Sequence, residues 1–305
     1  MLKEREQKQA FNWTVLDSAT SYSKWRATKL SMAEKSLNLA PVALSDLANP
    51  SESERAEIAE RCHSSNFALY SSPPAKDDSA VRGQLRSFAQ SFGLRIAEAH
   101  RSEGDQGIVA LRVSDAPSQK GYIPYSTRAM NWHTDGYYNA PDNLISAFVL
   151  HCFQQAADGG TNDILDPEIV YIRLRDGHPA YLKALMHPQA ITIPENFEPD
   201  GSVRPASVGP VFYADAATGR LQMRYTARTR SIEWRDDAAT LEAEAWLRDY
   251  LSTGDPLALH VRLRPGMGVL NNNVLHNRTA FADGPETDTT RVIFRVRFHN
   301  RIGDT

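Results

Sequence analysis

A histidine and an aspartate two positions apart are the first residues in this chain whose types and spacing could do metal chemistry. They are His133 and Asp135, within the segment 131–136. If this segment is a β-strand, both side chains point to one face, so that an imidazole nitrogen and a carboxylate oxygen converge. His276 supplies a third candidate ligand, 141 positions after Asp135 (276 minus 135). Two histidines and one carboxylate can hold non-haem Fe(II) and leave other metal positions open.

A run of alternating arginines follows the second histidine. Arg291, Arg295 and Arg297 occupy odd positions of a strand-like segment, 290–298, and therefore share one face of the predicted strand. A guanidinium that faces a buried interior needs an anion. The alternative for these arginines is a solvated edge strand with alternating charge.

Taken together, the segments 131–136 and 271–297 resemble the Fe(II)/2-oxoglutarate-dependent dioxygenases of the taurine dioxygenase and 2,4-dichlorophenoxyacetate dioxygenase family. The resemblance implies that His133, Asp135 and His276 are catalytic metal ligands for Fe(II), with 2-oxoglutarate and O2 at the open positions. It further implies hydroxylation of a small organic substrate, which could be anionic, with release of succinate and carbon dioxide.

The resemblance also implies which residues bind 2-oxoglutarate. Relatives carry an Arg-x-x-x-Arg pair after the last histidine, and Arg291 and Arg295 fit it here. Arg291 is assigned to the distal carboxylate because a planar guanidinium binds a carboxylate with two parallel hydrogen bonds. Arg295 is expected nearer the 1-carboxylate or the substrate.

A Gly-Gly turn at positions 159–160 belongs to the same resemblance. Relatives have, after one further residue, a threonine whose hydroxyl helps to hold 2-oxoglutarate. In this chain that position is Asn162, and Thr161 sits one position earlier. An amide can also donate to a carboxylate, so both residues are candidates for binding the cosubstrate.

Composition narrows the class of protein. With 305 residues, a 41% hydrophobic share, 23% charged residues and a net charge of −3, the chain is expected to be globular and not a general nucleic-acid binder. Two cysteines, Cys62 and Cys152, favour a reducing cytoplasm over a disulfide framework. A charged start at 1–9 and the lack of any long apolar run predict neither export nor a membrane span.

The sequence pattern predicts many short strands, with helices inserted between them, as the elements that hold these residues. The specific fold, a double-stranded β-helix or jelly-roll, cupin-like barrel, is what the resemblance implies. Residues 1–40 are expected to form an N-terminal extension, and 41–305 a single oxygenase domain. Helices are predicted from Ser51 and over about 79–92, 168–185 and 238–251; strands are predicted at 66–70, 107–113, 144–153 and 257–263, with a hairpin at 211–230 and a strand from Val269 through His276.

Several alternatives stay open. The same iron chemistry could give desaturation, cyclisation or carbon-heteroatom cleavage. The barrel could instead bind a small anion without catalysis, or the three ligands could bind zinc in a hydrolase. Relatives suggest a homo-oligomer.

Two further sets of side chains have two possible roles each. Arg224, Arg228 and Arg230 share a face if they lie on one strand, where they could bind an anionic substrate or pair with acids such as Glu233 and Asp236. Four residues that flank the metal ligands could line the substrate pocket or pack in the core, namely Asn131, Trp132, Tyr137 and Tyr138.

Overall fold

The computed structural model describes residues 19–97, 107–117, 119–140, 143–197, 201–215, 218–230, 232–286 and 289–303. His100 and the first eighteen residues of the predicted extension lie outside these ranges. No helix in the described part of the chain combines the length and apolar character that a membrane span requires.

The helices are α1 Ala19–Ser36, α2 Glu52–Ser65, α3 Asp78–Ser91, α4 Pro167–Gly177, α5 Pro179–Leu185 and α6 Ala238–Thr253, with a 3-10 turn at Ile123–Tyr125. The strands are β1 Val42–Ala43, β2 Phe67–Ser71, β3 Ile108–Leu111, β4 Met130–His133, β5 Ala147–Gln154, β6 Asp158–Gly159, β7 Asn162–Leu165, β8 Ile191–Ile193, β9 Asn196–Phe197, β10 Val203–Arg204, β11 Ser207–Gly209, β12 Phe212–Ala214, β13 Leu221–Met223, β14 Glu233–Trp234, β15 Leu259–Val261, β16 Met267–Asn271, β17 Leu275–Arg278, β18 Phe281–Ala282 and β19 Val292–Phe298.

Two sheets carry the architecture, which confirms the prediction of a mainly β fold with inserted helices. The larger has the order β1-β2-β16-β5-β19-β3 and the smaller has the order β15-β7-β17-β4. An apolar cluster joins the two: Phe148 and Leu150 of the larger sheet lie in one buried group with Ile164 of the smaller sheet. The other face of the larger sheet packs on α2 and α3 through residues such as Ile58 and Phe88.

Local sequence explains where α2 begins and which face of α3 is buried. The Ser51 hydroxyl accepts a hydrogen bond from the backbone N of Glu54 (3.3 Å), and the Glu54 carboxylate accepts one from the Ser51 backbone N (2.6 Å). This capping box is the predicted helix start. In α3, Val81, Leu85 and Phe88 are buried, and their spacing puts them on one face of the helix.

The predicted strand from Val269 through His276 is wrong, because the segment forms two strands in different sheets. β16 belongs to the larger sheet and β17 to the smaller, and the chain crosses between them at residues 272–274. Asn273 adopts a left-handed conformation there (φ 54°), which asparagine tolerates better than most residues. Side-chain amides then satisfy backbone groups at the crossing: Asn271 donates to Phe148 O (3.0 Å) and accepts from Val274 N (3.1 Å).

A second difference concerns the helical region predicted from 168 to 185. It forms two helices, α4 and α5, which meet at His178. Pro179 opens α5, and a proline disfavours helical geometry in the residue before it. The helix therefore ends before the proline and begins again at it.

Helix α1 falls within the predicted extension, yet it is tied to the rest of the chain by a buried cation. Lys29 is only 4% exposed; its ammonium contacts the carboxylates of Asp166 and Glu168 at the start of α4 and donates to Ser64 O (2.9 Å). Lys29 also lowers the pKa of Glu168 against the opposing effect of burial. The pairing offsets the cost of burying three charges.

We predict that Lys29→Met destabilises the protein by roughly 3–5 kcal/mol, because it leaves two buried carboxylates without their cation. Lys24→Met changes an exposed lysine of the same helix and serves as the matched control. Urea denaturation of both variants measures the effect. A difference between them below about 1 kcal/mol, the size of a surface ion pair, would contradict the prediction.

Candidate metal centre

Strands β4 and β17 are antiparallel neighbours that place His133 opposite His276. Asp135 does not lie on a strand as predicted, because β4 ends at His133 and Asp135 sits in the turn that follows. The turn still brings the carboxylate to both rings. Oδ1 of Asp135 lies 3.7 Å from Nε2 of His133 and 3.9 Å from Nε2 of His276. One ligand atom from each of the three residues lies within 4.8 Å of the others.

The second nitrogen of each ring is held by the backbone. Nδ1 of His133 lies 2.9 Å from Asn131 O, and Nδ1 of His276 lies 3.1 Å from Val274 O. Because a carbonyl only accepts, each Nδ1 carries the proton, and each Nε2 presents a lone pair toward Asp135. Burial, helped by the neighbouring ring, lowers the pKa of His133 to about 3, and burial also lowers the pKa of His276. Both rings are therefore neutral at neutral pH, as metal ligands must be.

Two guanidiniums set the charge and orientation of Asp135. Burial alone would raise its pKa, but Arg297 and Arg295 overcome that effect and hold the pKa well below the usual range. Nε of Arg297 donates to Oδ2 of Asp135 (2.7 Å), and Nη1 of the same arginine donates to the Tyr138 hydroxyl (2.7 Å). Nε of Arg295 lies 3.6 Å from Oδ2. With Oδ2 occupied, Oδ1 is the oxygen left to bind a metal.

An asparagine three positions before His276 fixes the turn that carries Asp135. The backbone N of Asp135 donates to Oδ1 of Asn273 (2.8 Å), and Nδ2 of Asn273 donates to Asp135 O (3.0 Å) and Ile145 O (2.7 Å). Sequence reasoning missed both Asn273 and Arg297 as supports of the site. The signals in the sequence were the run of three asparagines at 271–273 and the alternating arginines that include Arg297.

A cleft of about 260 Å³ opens beside two of the candidate ligands, His133 and Asp135. Arg295 and Arg297 form part of its wall beside His133 and Asp135. Of the four residues predicted either to line a pocket or to pack, Asn131, Tyr137 and Tyr138 line this cleft, whereas Trp132 packs in the apolar core around α4 and α6. Other cleft residues include Tyr122, Tyr125, Glu195, Arg204, Arg228 and Arg230.

The three arginines at 224–230 do not share one strand, because β13 ends at Met223. Arg224 is buried and donates to the backbone carbonyls of Tyr137 and Ser207, so neither predicted role, substrate binding or surface pairing, applies to it. Arg228 and Arg230 are exposed at the cleft, and neither forms an ion pair with the part of the chain that the structure describes.

The prediction that Arg291 shares a strand face with Arg295 and Arg297 is wrong: Arg291 precedes β19, the register of β19 shifts between Val292 and Ile293, and Arg291 does not line this cleft. It is 6% exposed, and its Cζ lies 5.1 Å from the ring centroid of Phe281. Burial lowers its pKa to about 10. Gly160 is required beside it, since a Cβ at this left-handed position (φ 72°) would come 3.3 Å from Nε of Arg291.

The other two predicted cosubstrate residues follow that turn. Asn162 is buried and lines a small apolar cavity together with Phe148 and His276, and its amide donates to Asn277 O (2.7 Å). Thr161 pairs with Thr279, whose hydroxyl accepts from the Thr161 backbone N (3.0 Å). The structure thus brings Asn162 to the face of the sheet that carries His276, whereas Thr161 is engaged with its neighbouring strand.

The donor set fits Fe(II). Two neutral imidazoles and one carboxylate oxygen converge from a turn and two strands, so they can occupy one face of an octahedral ion and leave other positions for an oxo acid and dioxygen. The surrounding charge fits an anionic ligand: Arg295 is largely buried, and within the described part of the chain its Nε has no hydrogen-bond partner. A buried guanidinium nitrogen without an acceptor is costly unless a ligand supplies one.

Comparison with known proteins gives the same picture. The family model described as "Taurine catabolism dioxygenase TauD, TfdA family" matches residues 32–297. No curated protein sequence matches the chain. Among solved structures, asparagine oxygenase in complex with Fe(II), 2S,3S-3-hydroxyasparagine and succinate is similar with a TM-score of 0.60 at 12% identity, covering 89% of this chain and 90% of that one.

A second similar structure is the non-heme iron oxygenase OrfP in complex with Fe and alpha-ketoglutaric acid. Its TM-score is 0.60 at 15% identity, with 89% of this chain and 91% of that chain covered. The same oxygenase with Fe, succinate and (3S)-hydroxy-L-Arg has a TM-score of 0.62 at 14% identity, with coverage of 89% and 92%. At these identities the likeness describes the fold alone.

We predict that Arg297→Gln weakens metal binding by roughly tenfold to a hundredfold, the usual effect of removing a hydrogen-bonded support of a metal ligand. The glutamine cannot neutralise Asp135 or hold its Oδ2 in the same way. Calorimetric titration of the metal-free protein with Fe(II) under argon, or with Co(II), measures the affinity. Arg248→Gln, on the exposed surface of α6, is the control. Equal metal affinity in the two variants would show that Arg297 does not position Asp135.

Proposed function

The chain belongs to the taurine catabolism dioxygenase TauD, TfdA family, and from this premise we propose that it is an Fe(II)- and 2-oxoglutarate-dependent oxygenase. It hydroxylates a small organic substrate and releases succinate and carbon dioxide. The observation that carries the proposal is the convergence of His133 Nε2, His276 Nε2 and Asp135 Oδ1 beside a cleft lined by arginines.

Each residue of the site has a distinct task in this proposal. His133, His276 and Asp135 would hold the iron, which when bound supplies the activation of dioxygen for oxidation of a C–H bond. Arg297 keeps Asp135 ionised and turned so that one oxygen binds the metal. Tyr138, hydrogen-bonded to Arg297, forms the adjacent cleft wall and helps to exclude water from the reacting groups.

The cosubstrate would lie between the metal and two arginines, Arg291 and Arg295. We assign its distal carboxylate to Arg291, which is buried and whose guanidinium has no hydrogen-bond partner in the described part of the chain. Arg295, nearer the metal ligands, is assigned to the 1-carboxylate or to the substrate. Asn162 and Thr161 remain candidate contacts, and the inward position of Asn162 beside His276 supports it more strongly.

The fold proposal is a double-stranded β-helix of jelly-roll type within a single domain of residues 41–305. Its support is the antiparallel pairing of β16 with β5 and of β17 with β7, together with the apolar cluster that the two sheets share. In this arrangement the metal ligands come from the smaller sheet and the turn after β4, and Arg295 and Arg297 come from the larger sheet. Helix α1 then packs on the outside of the domain through Lys29.

The charges of the cleft support an anionic substrate. Arg297 is bound to Asp135, and Arg204 donates to the backbone carbonyls of Tyr138 (3.3 Å) and Pro194 (2.7 Å). Arg228 and Arg230 keep their guanidiniums available at the cleft. Positive groups in a concave site concentrate and orient ligands of opposite charge.

A reconstitution assay tests both parts of the proposal. The protein is supplied with 2-oxoglutarate, O2 and either Fe(II) or Zn(II), together with a panel of small carboxylic acids and their amides, and succinate is measured. We expect succinate only with Fe(II), and stronger stimulation by an acid than by its amide. For a stimulating acid, Arg228→Gln should raise KM by up to roughly fivefold, as expected for one exposed charge contact.

Arg248→Gln again serves as the control, because Arg248 lies on α6 and pairs with Glu244 (2.7 Å). Activity that requires Zn(II) and ignores 2-oxoglutarate would overturn the oxygenase proposal in favour of a hydrolase. Equal stimulation by acids and amides would refute only the anionic substrate.

A further inference from the structure

A second buried arginine lies beside the one assigned to the cosubstrate. Arg278 is 3% exposed, and its Cζ lies 4.8 Å from the ring centroid of Phe281. The guanidinium of Arg291 contacts the same ring, at 5.1 Å. One phenylalanine therefore contacts two buried guanidiniums, and burial together with the charge of Arg291 lowers the pKa of Arg278, as expected of neighbouring cations.

This pair carries more positive charge than the neighbouring groups neutralise. Nη2 of Arg278 donates to the backbone carbonyls of Ser126 (2.8 Å) and Arg128, but its Nε is buried and finds no hydrogen-bond partner among the residues that the structure describes. The nearby acid is Asp283, which is partly exposed and accepts from the backbone N of Arg291 (2.7 Å). Carbonyl dipoles and one partly exposed acid do not balance two buried cations, so an anion is expected between them.

The position of Arg278 relative to the metal ligands indicates which anion. His276 and Arg278 are two residues apart on β17, about 7 Å along the strand, and both are buried, although the pairing with β4 shifts register between them. A ligand that binds the metal through one end of a chain of about five carbons could place its other end near Arg278. 2-Oxoglutarate has this length, with a carboxylate at each end.

We propose that Arg278 and Arg291 together clamp the distal carboxylate of 2-oxoglutarate, with Nε of Arg278 as one donor. This inference rests on the proposed function and adds a residue to it. Arg278 selects for a 2-oxo acid that carries a distal carboxylate, because only such a molecule supplies the acceptor that this buried nitrogen lacks. Phe281 keeps the two guanidiniums at fixed separation through its ring face.

A purely structural role for Arg278 makes a different prediction. Through the carbonyls of Ser126 and Arg128 it ties β17 to the loop before β4, so its loss could loosen the site without any contact to the ligand. Such loosening would weaken the binding of every 2-oxo acid alike. Loss of a direct contact would weaken the binding of only those 2-oxo acids that carry a distal carboxylate.

Calorimetric titrations separate the two roles without turnover. The protein is loaded with Zn(II) in place of iron and titrated with 2-oxoglutarate and with 2-oxobutyrate, which has the same oxo acid head but no distal carboxylate. The variants are Arg278→Gln, Arg278→Lys and Arg291→Gln. Arg224→Gln is the matched control, because Arg224 is equally buried and also donates to two backbone carbonyls.

We expect Arg278→Gln to weaken the affinity for 2-oxoglutarate roughly tenfold to a hundredfold, which is the range for a lost charge-assisted hydrogen bond. The affinity for 2-oxobutyrate should change less than about twofold. Arg278→Lys, which keeps the charge, should recover part of the loss and serves if the glutamine variant folds poorly. Arg224→Gln should not alter the ratio of the two affinities.

An unchanged affinity for 2-oxoglutarate in Arg278→Gln, or an equal loss for both oxo acids, would overturn the inference. If Arg291→Gln alone loses 2-oxoglutarate selectively, the proposed function stands and the role of Arg278 does not. Wild-type protein that binds neither oxo acid would refute the proposed function together with the clamp.

Discussion

The pairing of β4 with β17 is the constraint on which the site depends. It places His133 opposite His276, although 143 positions separate them (276 minus 133). Two neutral imidazoles can then lie with ring centroids 4.2 Å apart in a buried place without charge repulsion. The same crossing between sheets that begins β17 supplies Asn273, which fixes the turn of Asp135. The third ligand is therefore held by the segment that carries the second.

Positive charge is the other organising feature. Arg295 and Arg297 from β19 neutralise Asp135 on one side, whereas Arg278 and Arg291 contact the same ring of Phe281 and lack a full complement of acceptors among the described residues. Burying guanidiniums costs stability unless an anion joins them. The fold offsets this cost elsewhere through its apolar clusters. An anionic cosubstrate or substrate is attracted to these buried charges more strongly than to charges on an open surface.

Local patterns predicted those parts of the structure that depend on neighbours in sequence. The capping box at Ser51 and the apolar stripe of α3 need only short-range rules, and both are present. The grouping of His133, Asp135 and His276 could be predicted because ligand types and order are visible in the sequence, and the structure places them together. Whether they bind iron is still a proposal.

What could not be predicted depends on contacts made across the fold. The division of the predicted strand 269–276 at Asn272 and Asn273 follows from side-chain amides that bond backbone groups of distant segments. Arg224 was grouped with Arg228 by spacing, but its guanidinium donates to the backbone carbonyl of Tyr137 in the interior. Arg278 had no role in the sequence interpretation, because only the tertiary fold brings it to the ring that Arg291 also contacts.

Anaerobic titration of the metal-free protein with Fe(II) and then 2-oxoglutarate tests the central claim most directly. Chelation of a 2-oxo acid by Fe(II) gives a visible metal-to-ligand charge-transfer band, which requires an iron ion with adjacent open positions. We predict the band at one Fe(II)–2-oxoglutarate complex per chain in the wild-type protein, its loss in His133→Ala, and its retention in His260→Ala, where the histidine is exposed and pairs with Asp163. Bound iron without the band in the wild-type protein would contradict the account.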